Sequence, residues 1–313
     1  MAIIYNGEKD SRLYKAVLGP IIEGLMDADE KVVYLDADLM NCIGTGKLPA
    51  KTNRAIDCGI SEANMIGVAA GLSSRGFKPI CHSFGIFASR RVFDQVFLSA
   101  GYAKNPITVI GTDAGICAEI NGGTHMPFED VGTYRLIPGS IICDCTDVTM
   151  AKAFLTMAKD SEGVKYLRCG RKDSYPVYSE DTAFAFGKGF VVRDGSDAVI
   201  IASGIMVHEA MQAAYELEKE GVSVAVIDPF TVKPLDVELI RAYVAKCGKV
   251  VVAENHNAIG GLCSAVESAI TGMACQYGRV AVEESYGEVG PKAYLRERFG
   301  LTGDHIVEII KGF

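Results

Sequence analysis

The chain has 313 residues, 49% hydrophobic and 22% charged, a composition suited to a globular protein with a large core and a length suited to two domains of ordinary size. A net charge of −8 with no Lys/Arg-rich run argues against nucleic acid or an anionic membrane as partner. The N-terminus turns polar and charged too early for a secretory signal, and no apolar stretch approaches the roughly 20 residues that span a bilayer, so a cytoplasmic protein is expected.

Taken in chain order, Leu13, Val17, Leu18, Ile21, Ile22 and Leu25 keep helical spacing and predict a helix over 12–26. Apolar runs at 32–35, 55–60, 79–84, 107–112 and 140–143 read as strands, with helices over 62–72 and 91–102 between them. A polar stretch at 172–188, carrying Pro176 and Gly187, reads as a linker. Beyond it come a strand at 198–202 and a helix with Val207, Ala210, Met211, Ala214 and Leu217 on one face. Strands at 222–227 and 250–253 follow, with a crossover helix over 235–244. This alternation predicts an α/β fold of two domains, at 1–180 and 190–313, each a largely parallel sheet flanked by helices.

Several familiar signals fail. Gly44, Thr45, Gly46 and Lys47 resemble a phosphate loop, but Leu48 follows the lysine and the spacing of the glycines is wrong. No GxGxxG fingerprint or GxSxG elbow occurs, and the five histidines at 82, 125, 208, 256 and 305 lack metal-ligand spacing. The ten cysteines are scattered without a CxxC pair and read as small buried hydrophobes of a reducing compartment.

More informative is the segment from Cys58 to Met65, where a strand ends at Gly59 and a helix begins with Ser61 as N-cap and Glu62 in its first turn. Small residues at Gly67, Ala69, Ala70 and Gly71 predict close packing, with the helix N-terminus buried at a strand end, where parallel sheets place ligands. GISEANMIGVAAGLSSRG at 59–76 resembles the glutamate motif of the pyrimidine-binding domain in the transketolase family, shared with deoxyxylulose-phosphate synthases and beta subunits of 2-oxoacid dehydrogenases. The resemblance implies thiamine diphosphate as cofactor, with Glu62 as the catalytic carboxyl that hydrogen-bonds a ring nitrogen of its aminopyrimidine. Such a role needs a carboxyl held in a dry site, where the proton is shared with the ring.

Further blocks follow in the family's order. HSFGIFASR at 82–90 resembles the aromatic segment that packs on the pyrimidine, implying cofactor contacts from Phe84 and Phe87, with Arg90 standing where a third aromatic is common. GGTHMPFED at 122–130, followed by YRLIP at 134–138, resembles the THQ-type block, which implies that His125 is catalytic and contacts the ketose donor near its reacting carbons. DAD at 36–38 resembles a strand end that places Asp38 near the cofactor. In the second half, ENH at 254–256 and GGL at 260–262 resemble the family's C-terminal domain, where His256 has no catalytic role.

Two departures matter. The family's metal- and diphosphate-binding GDG…N pattern does not occur, so the resemblance implies a split transketolase. Its N-terminal, diphosphate-binding subunit would hold Mg2+ or Ca2+ and share the cofactor in a heterotetramer, leaving no metal ligands in this chain. At the substrate end, Asp113 and Asn121 stand where a phosphate-contacting histidine and a hydroxyl-reading aspartate are usual, and Cys42 where a serine is common. Arg12 and Arg168 match arginines that hold anionic groups. The substrates are therefore expected to be sugars, with a modified ketose and an altered anionic end. The competing readings are the beta subunit of a 2-oxoacid or acetoin dehydrogenase and a non-catalytic regulatory subunit.

Overall fold

The computed structural model describes residues 2–313 and contains two sheets. The first comprises β1 (Val32–Asp36), β2 (Ala55–Asp57), β3 (Lys78–Phe84), β4 (Ile107–Thr112), β5 (Ile141–Asp144) and β6 (Val164–Arg168), in the order β2-β1-β3-β4-β6-β5. Every pairing in it is parallel. The second comprises β7 (Phe190–Arg193), β8 (Ala198–Ala202), β9 (Val224–Asp228), β10 (Lys249–Asn257) and β11 (Gln276–Val282), in the order β11-β10-β8-β9-β7. Here only β7 runs antiparallel, against β9.

The central strands are buried on both faces, which is why β1, β4, β8 and β9 are legible as continuous apolar runs rather than alternating ones. Helices cover those faces: Tyr14–Ala28, Glu62–Ser74 and Val148–Ala158 on the first sheet, and Met206–Lys219, Val237–Cys247, Leu262–Ile270 and Gly303–Lys311 on the second. Three of them start on a side-chain cap, with Asp147, Asp236 and Thr302 accepting from backbone amides.

Two expectations change. The helix predicted over 91–102 is not one α-helix: a short 3-10 turn at Arg90–Val92 and the α turn Phe93–Gln95 lead into a π-helix at Val96–Tyr102. The polar stretch read as a linker is a packed connection. The Val177 and Tyr178 amides donate to Asp147 at 2.8 and 2.9 Å, and the Tyr178 ring is buried against Phe184 and Phe190.

Polar contacts lock the two sheets together. The Asp228 carboxyl at the end of β9 receives the hydroxyls of Thr146 (2.5 Å) and Tyr178 (2.9 Å), and Ser203 donates to Asp144 at 2.8 Å. Among the described residues, no helix is long and apolar enough to cross a membrane.

Candidate active site

The candidate residues gather at the C-terminal ends of β1, β3 and β4, the edge where parallel sheets bind ligands. Beneath this edge runs a buried network. Tyr34 donates to Asp36 at 2.5 Å, and His82 bridges Asp36 (2.7 Å, through Nδ1) and Thr112 (3.1 Å, through Nε2). Every polar end is partnered, so the network fixes three neighbouring strand ends relative to one another.

Glu62 opens its helix and is 2% exposed. Ser61 occupies the N-cap position, but its side chain makes no capping bond. The Glu62 carboxyl turns towards β3, accepting from Ser83 Oγ at 3.4 Å and from Arg91 Nη1 at 2.8 and 2.9 Å. Phe84 ends β3 and Phe87 lies in the short helix Gly85–Ser89 after it, with ring centroids 6.4 Å apart. His125 meets both edge-on, at 6.2 Å from Phe84 and 5.2 Å from Phe87. The three rings form an aromatic corner beside a buried carboxylate. Thr124 Oγ1 lies 2.9 Å from His125 Nδ1 and so engages that ring nitrogen.

The His125 loop is held from the second half of the chain. Asn255 accepts from the Ile116 amide at 3.0 Å and donates to the Ala114 carbonyl at 2.9 Å. Gly115 has φ +49°, and a Cβ there would strike the Asn255 side chain. At Gly123 a Cβ would lie 2.2 Å from the Gly287 carbonyl oxygen, so only glycine allows this approach.

At the end of β4, Asp113 adopts φ +60° and is buried, with Arg171 Nε donating to its Oδ1 at 3.1 Å while Oδ2 has no partner. Burial pushes the Asp113 carboxyl up from its ordinary range, and the Arg171 guanidinium opposes that shift. Arg171 also reaches Cys42 Sγ at 3.7 Å and lies 5.4 Å from the Phe84 ring centroid. The carboxylate expected to repel an anion is therefore screened by a cation of its own.

Three expected residues stand elsewhere. Arg168 is fully buried and saturated: it pairs with Asp130 (2.8 Å) and Asp144 (3.0 Å) and donates to the Pro127 and Asn255 carbonyls. With every guanidinium nitrogen engaged it has none to offer a substrate anion, whereas Arg171 stands partly exposed beside Asp113 at the end of β4. Arg12 turns to Asp10 (2.9 Å) and Glu180 (3.4 Å), facing a groove between the helices Tyr14–Ala28 and Val148–Ala158. Arg90 pairs with Glu129 at 3.0 Å, while Arg91 lies over Phe87. Asp38 (φ +62°) and Asn121 are exposed, Asp38 at the end of β1 and Asn121 just before the His125 loop. Among the described residues no group of three His, Cys, Asp or Glu side chains could hold a metal ion.

Arg91, Arg171 and Asn255 were not singled out from sequence. A signal existed for Arg171: β6 ends at Arg168, so residue 171 lies past the strand end, on the ligand side. Lys165 and Arg168 are buried polar residues that disguised β6 as something other than a core strand.

Family models match most of the chain: the transketolase pyrimidine binding domain over residues 11–175 and the transketolase C-terminal domain over 187–306. The chain is 45% identical to the "6-deoxy-6-sulfo-D-fructose transketolase subunit SqwH" of Clostridium sp. (strain MSTE9), over 89% of this chain and 87% of that one. It is 32% identical to the "Putative transketolase C-terminal section" of Methanocaldococcus jannaschii, over 96% and 97% of the two chains. A solved structure described as "Split gene transketolase, inactive beta4 tetramer" superposes with a TM-score of 0.88 at 33% identity, covering 97% of this chain and 98% of the other.

Proposed function

The chain belongs to the transketolase family as a split transketolase subunit, and from that premise we propose that Glu62, Phe84, Phe87 and His125 form the pyrimidine half of a thiamine diphosphate site completed by a second subunit. One observation carries the proposal: a buried carboxylate beside an aromatic corner at the C-terminal edge of a parallel sheet. When bound, thiamine diphosphate supplies the nucleophilic thiazolium carbon and the electron sink for carbon–carbon cleavage. Phe84 and Phe87 give the flat ring its stacking faces, and Glu62 shares a proton with the ring nitrogen. His125, with Nδ1 held by Thr124, offers Nε2 to a hydroxyl of the ketose donor. Asp38, at the end of β1, flanks the same edge.

The diphosphate and its divalent metal fall to the partner subunit in this reading, since no GDG pattern occurs in this sequence. The partner is an N-terminal-type transketolase subunit, and the assembly a heterotetramer with two interfacial sites. Localisation is cytoplasmic, where ten free thiols persist reduced.

For the substrate, Arg171 and Asp113 form a nearly neutral pair, which suits a monoanion such as a sulfonate better than a phosphate carrying about −1.5 to −2 charges. We therefore propose a ketose with a sulfonate end, as in the name of the clostridial relative. The test is ketol transfer by this chain mixed with its partner subunit, from 6-deoxy-6-sulfofructose and from fructose 6-phosphate. The sulfonated donor is expected to be preferred at least about tenfold in kcat/KM, with Glu62→Ala abolishing turnover of both. Equal use of the two donors overturns the substrate, and turnover that survives Glu62→Ala overturns the role of the carboxylate.

A further inference from the structure

Arg91 belongs to none of the motifs above, yet it touches both groups that the proposed site uses for a flat nitrogen ring. Its guanidinium carbon lies 3.9 Å from the Phe87 ring centroid. Its Nη1 donates to Glu62 Oε1 at 2.8 Å and Oε2 at 2.9 Å. A guanidinium is planar and presents N–H donors in a fixed fork, the properties by which an aminopyrimidine would also meet a carboxylate and an aromatic face. An aminopyrimidine bound at this corner would meet the same carboxylate and the same ring face that Arg91 occupies.

Burial gives that competition a consequence. Glu62 is 2% exposed, and an ionised carboxylate there requires a cation. The charged groups on the elements packed against its helix are otherwise engaged. On β1, Asp36 is bonded by Tyr34 and His82. On β3, Lys78 pairs with Asp29 and Asp160, and burial pushes the Cys81 thiol far up. On the segment after β3, Arg90 pairs with Glu129, while Asp94 and Tyr102 supply no positive charge. Arg91 alone is paired with Glu62.

We propose that Arg91 is a positioning residue that keeps Glu62 an oriented carboxylate until the aminopyrimidine displaces it, and that the displacement takes up one proton. The inference rests on the pyrimidine reading of Glu62. The balance is simple. Before binding, carboxylate and guanidinium neutralise each other and the ring nitrogen carries no proton. Afterwards one proton from solvent lies between the ring nitrogen and Glu62, and Arg91, already 45% exposed, keeps its charge in water. Without the guanidinium, an ionised Glu62 would be an unpaired buried charge, a cost that a bound proton removes. The carboxyl then already holds the proton that the ring requires.

The experiment is calorimetric titration of thiamine diphosphate and its metal into the reconstituted two-subunit protein, in buffers of differing protonation enthalpy near neutral pH. Wild type is expected to take up close to one proton per site, with Kd rising up to about tenfold per pH unit. Arg91→Gln is expected to take up almost none and to show a nearly flat Kd, whereas Arg91→Lys, which keeps the charge, behaves as wild type. Uptake by Arg91→Gln equal to wild type, or no uptake by wild type itself, overturns the proposal; the wild-type measurement stands even if the Gln variant does not fold. Turnover by Glu62→Gln separates the two levels. If that variant is inactive and Arg91→Gln still takes up a proton, only the role of Arg91 fails. If Glu62→Gln remains fully active, the pyrimidine reading fails with it.

Discussion

Arg168 and Arg171 carry the same charge three residues apart, yet burial gives them different physics. Arg168 has no contact with water and neutralises two carboxylates, so Arg168→Ala leaves Asp130 and Asp144 as uncompensated charges and costs about 3–5 kcal/mol. Arg171 is partly exposed but its partner Asp113 is buried, so Arg171→Ala is expected to cost about 1–3 kcal/mol of stability while raising KM for an anionic sugar several-fold. Urea denaturation beside steady-state kinetics reads both. Asp228 makes a different prediction. Burial raises its carboxyl to about 7, against hydrogen bonds from Thr146, the Phe230 amide and Tyr178 that favour the ionised form. Its contribution to stability is complete below the ordinary carboxyl range and is lost as pH climbs through about 7, on the order of a few kcal/mol in all. Asp228→Asn is expected to flatten that decline, seen as a smaller change in urea midpoint relative to wild type between about pH 5 and 8.

At the scale of elements, the active edge depends on loops that fit only as drawn. Gly123→Ala forces a methyl against the Gly287 carbonyl, and relief must come from movement of the loop that carries His125. The expected outcome is a stability loss of about 1–3 kcal/mol with a larger fall in kcat than in cofactor affinity, read by thermal unfolding and cofactor titration. This loop also shows what sequence can and cannot tell. That Glu62, Phe84, Phe87 and His125 would meet at one strand-end corner was legible because each sits inside a local motif whose neighbours are fixed by the chain. The surroundings of Arg168 were not legible because an arginine's destination depends on which carboxylates the fold brings near, and Asp130 and Asp144 lie 38 and 24 positions away; Arg12 is held by Asp10 beside it and by the distant Glu180. Asn255 was passed over for the same reason: it acts on residues 114–116 across a distance of about 140 positions. The fold class was more legible than its edges. Central strands announce themselves by burial on both faces, whereas β7 and β11 lie at a sheet edge, where that signal fades.

At the scale of the whole molecule, large apolar side chains stand exposed around the site. Tyr286 (94% exposed) and Val289 flank Gly287, which packs on the His125 loop; Ile120 precedes that loop and Ile60 precedes Glu62. A rim of this kind beside a half-built site suits burial against the proposed partner subunit. Tyr286→Asp is expected to weaken association with that subunit at least about tenfold while leaving the unfolding free energy of the isolated chain within about 0.5 kcal/mol of wild type. Sedimentation of the mixed subunits measures the first effect and urea denaturation the second.

The Asn255 clamp reaches beyond this one chain. A side chain from the second sheet sets the backbone that leads to His125, so the two halves are not interchangeable parts. A chimera that joins this first half to the second half of a distant relative would keep each hydrophobic core and still lose register at residues 114–116. Such hybrids are expected to fold and bind their partner subunit yet turn over slowly, and restoring an asparagine at position 255 is the repair to try first.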